Sequence, residues 1–481
     1  MYKIVEIQDI KAKDNRWAIL IITVMSTFMS TLDSSIVNVA LPIMATSLNV
    51  TTGVIAWVVS AYLIVISIFI LFFGRLGDLK GQVKIFRLGL AIFTIGSFLC
   101  GVTHSVPLLI AARAIQAIGS AATMANSQGI ITRSFPQNER GRALGINGAF
   151  VALGALVGPA LGGFIISFAS WEYLFWINVP IGIAVLAVSF KLLSGDEPTI
   201  HEKMDFRGTA LFVLTILPFS YALEDGQAVG FSNPMILICF FVSIVAFVFF
   251  IKAEKKMEAP LLDLQIFKNK WFSISIFCAF TSFITISCSN IILPFYLQNA
   301  LGLTPGNAGL YMTIYPLVLA LVAPFSGYLA DKIGSEILTL IGLGLTSGGL
   351  FLMSSLNEQP SFFMMGLYIA VMSLGNGLFQ SPNNSLVMSM LPREKLGIGG
   401  SINALVRNIG MVVGIALSTS ILYSSMSAKI GHHVTGYVAG RADAFVFGMR
   451  IAFITAASIS TVGAVITAIR LFNKQNRTAE S

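Results

Sequence analysis

Apolar runs of about 20 residues, the length a helix needs to cross a hydrocarbon core, recur from one end of the chain to the other, from Trp17–Val37 to Met449–Ala468. We count about 14 of them, separated by short polar or Gly/Pro-containing breaks. With no water at that depth, only a helix or a closed barrel satisfies its own peptide groups, and runs of this length are read as helices. Composition agrees. The 481 residues are 56% hydrophobic and 11% charged, against roughly 25% charged in soluble domains. The first run is long, carries Asp33 near its end and lacks a small-residue cleavage site, so it is expected to be a permanent span, not a cleaved leader.

The 30 Lys and Arg residues check the topology independently, because they favour short cytoplasmic loops. Numbering the spans from an inside N-terminus places nearly all of them on one side, including Lys3 to Arg16, Arg75 to Arg87, Arg133 to Arg142 and Lys252 to Lys270. Only Lys429, Arg441 and Arg450 fall on the other side, and Arg113 and Arg407 lie within spans. The expectation is a multi-pass protein of the cytoplasmic membrane with an even number of spans and both termini cytoplasmic. On this reading the net charge of +8 reflects a solvated inner rim and gives no reason to expect nucleic acid as a partner.

Several chemistries find no support. Cys100, Cys239, Cys278 and Cys288 lie in apolar stretches without ligand spacing. His432 and His433 form an isolated loop pair, so no metal site is expected. There is no phosphate-binding loop, paired-carboxylate grouping or nucleophile–base constellation. Neither an enzyme nor a cofactor is expected.

The chain also repeats itself. Asn38 to Pro42 parallels Asn290 to Pro294, Gly74 to Gly81 parallels Gly327 to Gly334, and Pro136, Gly141, Ile146 and Asn147 parallel Pro392, Gly397, Ile402 and Asn403. The offsets are 252, 253 and 256 residues. Three collinear matches point to duplicated halves related by an axis along the membrane normal. Spans 7 and 8 are then an insert bracketed by charged segments. The fold class read from this is an all-α polytopic membrane protein of two six-helix bundles plus two inserted central helices, divided as 1–193, 194–270 and 271–481.

Four motifs in order, Leu32 to Pro42, Gly74 to Lys84, Leu109 to Gly119 and Gly154 to Gly163, followed by Trp171 to Gly182, resemble the major facilitator superfamily and specifically its 14-span drug:proton antiporters. The chain departs from that pattern at Leu79, Gln82, Val83 and Ala117. The resemblance implies multidrug efflux coupled to protons, a latch role for the cytoplasmic loop carrying Gly74, Asp78 and Gly81 with Asp331 as its weaker copy, and a gating or sealing role for Gly154, Gly158, Pro159 and Gly162.

Residue chemistry gives a parallel account. Asp33 is the acid placed within a span, where charge costs roughly 2.5 to 3.5 kcal/mol on insertion scales; proton carriage competes with a solvated position at the outer mouth. Arg113 is expected to meet Asp33, Gln116, a carbonyl or water, either in coupling or in tying helices together. The second-half equivalent of Asp33 falls near Thr285. Glycines every fourth residue in span 5 make a smooth face for close helix approach. Asp78 is placed to accept hydrogen bonds at a helix N-terminus, or to sit in a solvated turn. Arg407 is read as structural, and Glu224 and Asp225 as interfacial at the end of span 7. Gln116, Asn126, Asn147, Asn290, Asn376 and Gln380 are candidate cavity groups, and the segment Ser424–Gly448 is a candidate hairpin lid. The expected partners are a small-molecule substrate, protons and the bilayer, with the chain acting as a monomer; a dedicated exporter of one metabolite or lipid is the alternative.

Overall fold

A computed structural model describes residues 2–136, 139–193, 204–257, 260–262, 264–391 and 396–479. Fifteen α-helices account for most of them: α1 (Tyr2–Ser47), α2 (Thr52–Lys80), α3 (Gln82–Val102), α4 (Val106–Ser134), α5 (Arg140–Phe168), α6 (Tyr173–Trp176), α7 (Asn178–Leu192), α8 (Phe206–Val229), α9 (Pro234–Glu254), α10 (Lys270–Phe295), α11 (Pro305–Ile333), α12 (Ser335–Ser354), α13 (Phe362–Ser389), α14 (Leu396–Ile430) and α15 (Ala442–Ala479). Fourteen segments are long and apolar enough to cross a membrane, α6 and α7 together forming one of them. No strand occurs among the described residues.

Local chemistry sets the starts of several helices. Thr51, Asn233, Asn269 and Thr304 occupy N-cap positions and accept from the first-turn amides, with Pro234 and Pro305 following at positions where no amide is needed. The connections are equally economical. α2 passes to α3 through Gly81 alone, at φ 98°, and α11 passes to α12 through Gly334, at φ 93°. Both lie in the left-handed region that side chains rarely enter. The segment expected to be a loop from Gly74 onward is therefore mostly the end of α2, because its glycines are tolerated within a well-packed helix.

Duplication is visible in the packing. α1 packs on α5 as α10 packs on α14, and α3 on α4 as α12 on α13. Likewise α2 on α4 matches α11 on α13, and α3 on α7 matches α12 on α15. The halves meet through the equivalent pairs α2 with α14 and α11 with α5. The inserted hairpin is attached through α8, which lies against α2 of one half and α14 of the other, whereas α9 packs mainly on α8 and turns Leu237, Phe241, Ile244 and Phe247 outward.

With 14 crossings, the start of α1 and the end of α15 lie on one face. At the opposite, far face the halves are closed together: a Cβ at Gly163 meets Pro305 O at 2.6 Å, one at Gly309 would collide with Pro159 O, and Gln298 Nε2 donates to Val39 O at 2.9 Å. The expected hairpin lid over Ser424–Gly448 is corrected. α14 continues to Ile430 and α15 begins at Ala442, because the flanking residues extend the helical apolar faces. The short link between them rests its Thr435 and Gly436 against Thr51 and Gly53.

Candidate functional site

The polar centre of the first half forms where α1, α2, α4 and α7 converge. Asp33 is 0% and Arg113 1% exposed. Arg113 Nη1 donates to Asp33 Oδ2 at 2.5 Å and to Gln116 Oε1 at 2.6 Å, and its Nε donates to Val58 O at 3.2 Å. The other carboxylate oxygen, Oδ1, accepts from Gln116 Nε2 at 2.8 Å and Asn178 Nδ2 at 2.9 Å. Gln116 also donates to Ser97 at 2.8 Å. The guanidinium lies 4.1 Å from the Tyr62 ring centroid and 5.6 Å from that of Phe175, and Tyr62 Oη donates to Ser120 at 2.9 Å. A buried pair endures only when further hydrogen bonds and polarizable neighbours replace lost water. This centre supplies both.

Asp33, Arg113 and Gln116 are thus brought together. Asn178, Tyr62 and Phe175 are further members that sequence reasoning missed. Asn178 had a signal, since it lies in the motif opening span 6, at the break between α6 and α7. Among the described residues the second half has no charged counterpart here: Thr285 is buried with its hydroxyl on Ser282 O at 2.7 Å, and Ser282 donates to Asn376 at 3.1 Å.

α5 fixes the depth of Asp33. A Cβ at Gly154 meets Phe28 O at 2.9 Å, one at Gly158 meets Ile36 N at 3.0 Å, and one at Gly162 meets Ile36 O at 3.0 Å, while Ser35 Oγ donates to Gly154 O at 3.0 Å. The glycines therefore seat α1 on α5, on either side of the carboxylate. Gly410 and Gly414 do the same for α10 against α14, meeting Phe280 O at 3.0 Å and Ile284 O at 2.6 Å. Pro159 and Gly162 fall opposite Ile415 and Ser418 at the 256-residue offset, so they distinguish the first half.

The other candidates are dispersed. Asp78, in the last turn of α2, accepts from the side-chain amide of Gln82 in α3 at 3.0 Å, where a backbone amide was expected. Gly74 faces Ala125, and a Cβ at Gly77 would collide with Asn126. Asp331 lies in α11, with its side chain outside the described residues. Asn126 and Asn376 are fully enclosed, not on a cavity wall. Asn126 Nδ2 donates to Phe73 O at 3.1 Å and Ala122 O at 2.9 Å, and Asn376 Nδ2 donates to Met372 O at 3.3 Å. Their amides answer helix carbonyls that no water reaches. Asn147 is buried with Oδ1 unpartnered among the described residues; Asn290, Gln380 and Arg407 are half-buried. The interfacial placement of Glu224 is also corrected. It is 7% exposed and accepts a hydrogen bond from Ser60.

The profile of the Major Facilitator Superfamily matches residues 23–262 and 275–480. The chain belongs to this superfamily. Within it, the protein is 34% identical over 445 residues to the Riboflavin transporter RibZ of Clostridioides difficile (strain 630), covering 91% of this chain and 96% of that one. It is 30% identical over 416 residues to the Multidrug resistance protein Stp of Mycobacterium tuberculosis (strain ATCC 25618 / H37Rv), covering 86% and 77%. In fold, this superfamily member resembles a POT family transporter crystallised with 5-aminolevulinic acid, at TM-score 0.69 and 18% identity over 94% of this chain and 95% of that one.

Proposed function

We propose that the chain is a proton-coupled exporter of amphipathic small molecules in the cytoplasmic membrane, working as a monomer by alternating access with both termini in the cytoplasm. The observation that carries this reading is the Asp33 carboxylate, sealed from solvent and held by one guanidinium and two amides. Protonating Asp33 removes the ionic part of its bond to Arg113 and leaves the guanidinium on Gln116 and Val58 O. A proton thereby changes the tie between α1 and α4, the kind of two-state local event that biases a larger rearrangement. The moving units are residues 1–193 and 271–481, with 194–270 as the inserted segment. Gly154, Gly158, Pro159 and Gly162 hold α1 in register and seal the far side, and Gly74, Asp78, Gly81 and Asp331 latch the near side. The similarity to Stp supports the multidrug reading, with neutral, zwitterionic or singly charged lipophilic compounds as substrates.

The test is drug-induced proton efflux from acid-interior everted vesicles, comparing the native chain with Asp33→Asn. Efflux triggered by several unrelated drugs and lost in the variant is the expected result; efflux that survives Asp33→Asn would overturn the assignment. A second reading, a carrier of one metabolite, is favoured by the 34% identity to RibZ. Competition assays separate the two, because a dedicated carrier ignores unrelated drugs and answers to a flavin or similar planar metabolite.

A further inference from the structure

Glu224 stands apart from the Asp33 centre. It lies near the far end of α8, the helix that touches both halves through α2 and α14, and its Oε1 accepts from Ser60 Oγ of α2. One turn away, the rings of Trp57 and Tyr221 approach to 6.1 Å between centroids. The inserted hairpin is thus joined to the first half by a paired acid and hydroxyl and a paired indole and phenol.

No positive charge answers this carboxyl among the described residues. On its own helix, Asp225 accepts from Tyr221 at 2.9 Å, and Arg207 lies at the opposite end. From α2 the titratable groups are Tyr62, which turns to Ser120, and Arg75, Asp78 and Lys80 at the near-side end. α9 contributes Cys239, with Lys252 and Glu254 at its near-side end. From α14 come Tyr423, Arg407 in its near-side half, and Lys429, which pairs with Asp443 at 3.5 Å. Enclosing a carboxylate without a counter-charge is expensive.

We propose that Glu224 is a second proton-binding carboxyl, neutral while the joint of α2, α8 and α14 is closed and ionised when that joint opens to water on the far side. Opening lets the acid release its proton to far-side water; closing requires that one be taken up again. The inserted hairpin then follows the movement of the two halves instead of merely lying beside them. This rests on the alternating access proposed above but not on proton coupling at Asp33.

The experiment is infrared spectroscopy of the full-length protein in lipid at neutral pH, where solvated carboxyls are ionised. A protonated-carboxyl C=O band is expected in the native chain, retained in Asp33→Asn and lost in Glu224→Gln. Ser60→Ala keeps the acid but removes its donor, so the band should move to higher frequency, which guards against a Glu224→Gln chain that fails to fold. Trp57 emission, isolated by difference against Trp57→Phe, should shift with pH in the native protein and not in Glu224→Gln. A band unchanged by both Glu224→Gln and Ser60→Ala, or Trp57 emission equally pH-dependent with and without Glu224, would overturn the proposal.

Discussion

Arg113 holds a carboxylate, a side-chain amide, a backbone carbonyl and two aromatic faces at once, so neutralising its partner leaves a buried cation that these contacts only partly answer. Breaking such a pair from one side costs about 3 to 5 kcal/mol. Asp33→Asn should lower the thermal unfolding temperature in detergent, and the double variant Asp33→Asn/Arg113→Gln should recover most of that loss without recovering transport. A double-mutant cycle in which stability stays additive would show that the two groups are not coupled. Sequence made Asp33 and Arg113 conspicuous because a charge within an apolar run is rare and expensive. Asn178 is neutral and sits 145 residues from Asp33, so its motif marks the segment but only packing reveals it as a donor to Asp33 Oδ1, the oxygen that Gln116 also holds. Glu224 was misplaced for a different reason. The apolar run ends at Leu223, and hydropathy cannot separate a helix end in water from one covered by two neighbouring helices.

At the scale of the helix, the glycine face of α5 and the two single-glycine turns carry distinct predictions. Gly158→Leu drives a side chain into Ser35 and the Ile36 amide, displacing α1 and the carboxylate it carries. Transport should fall by at least about 10-fold, the equivalent of 1.4 kcal/mol, as read by substrate efflux at matched membrane abundance. Gly81→Ala forces an alanine to φ 98°, with an expected loss of about 1 to 2 kcal/mol, and Gly334→Ala should lose a similar amount. Equal unfolding temperatures for native and substituted chains would refute the strain. The four-residue glycine period was legible. Gly410 and Gly414 went unread although the 256-residue offset sets them opposite Gly154 and Gly158; that they seat α10 against Phe280 and Ile284 depends on residues about 130 positions away, which spacing alone does not pair.

Across the whole molecule, the order of spans and the duplication were legible because both are periodic properties of the chain. Which face is closed was not, because closure depends on pairs such as Gly163 with Pro305 that lie in different halves. The link between α14 and α15 offers a direct handle on closure. A Cβ at Gly436 lies 3.5 Å from that of Thr51, within the span of a disulfide, so Thr51→Cys/Gly436→Cys should crosslink on mild oxidation and stop transport until reduced. The native cysteines are buried and should not compete. Crosslinked protein that still transports at the native rate would mean that this contact persists through the cycle. Finally, Asp33 and Arg113 are 80 residues apart, so during synthesis the first span leaves the ribosome long before its counter-charge exists. The buried pair is therefore complete only once α4 arrives, making membrane integration of this protein an assembly step in which an early helix waits for a later one.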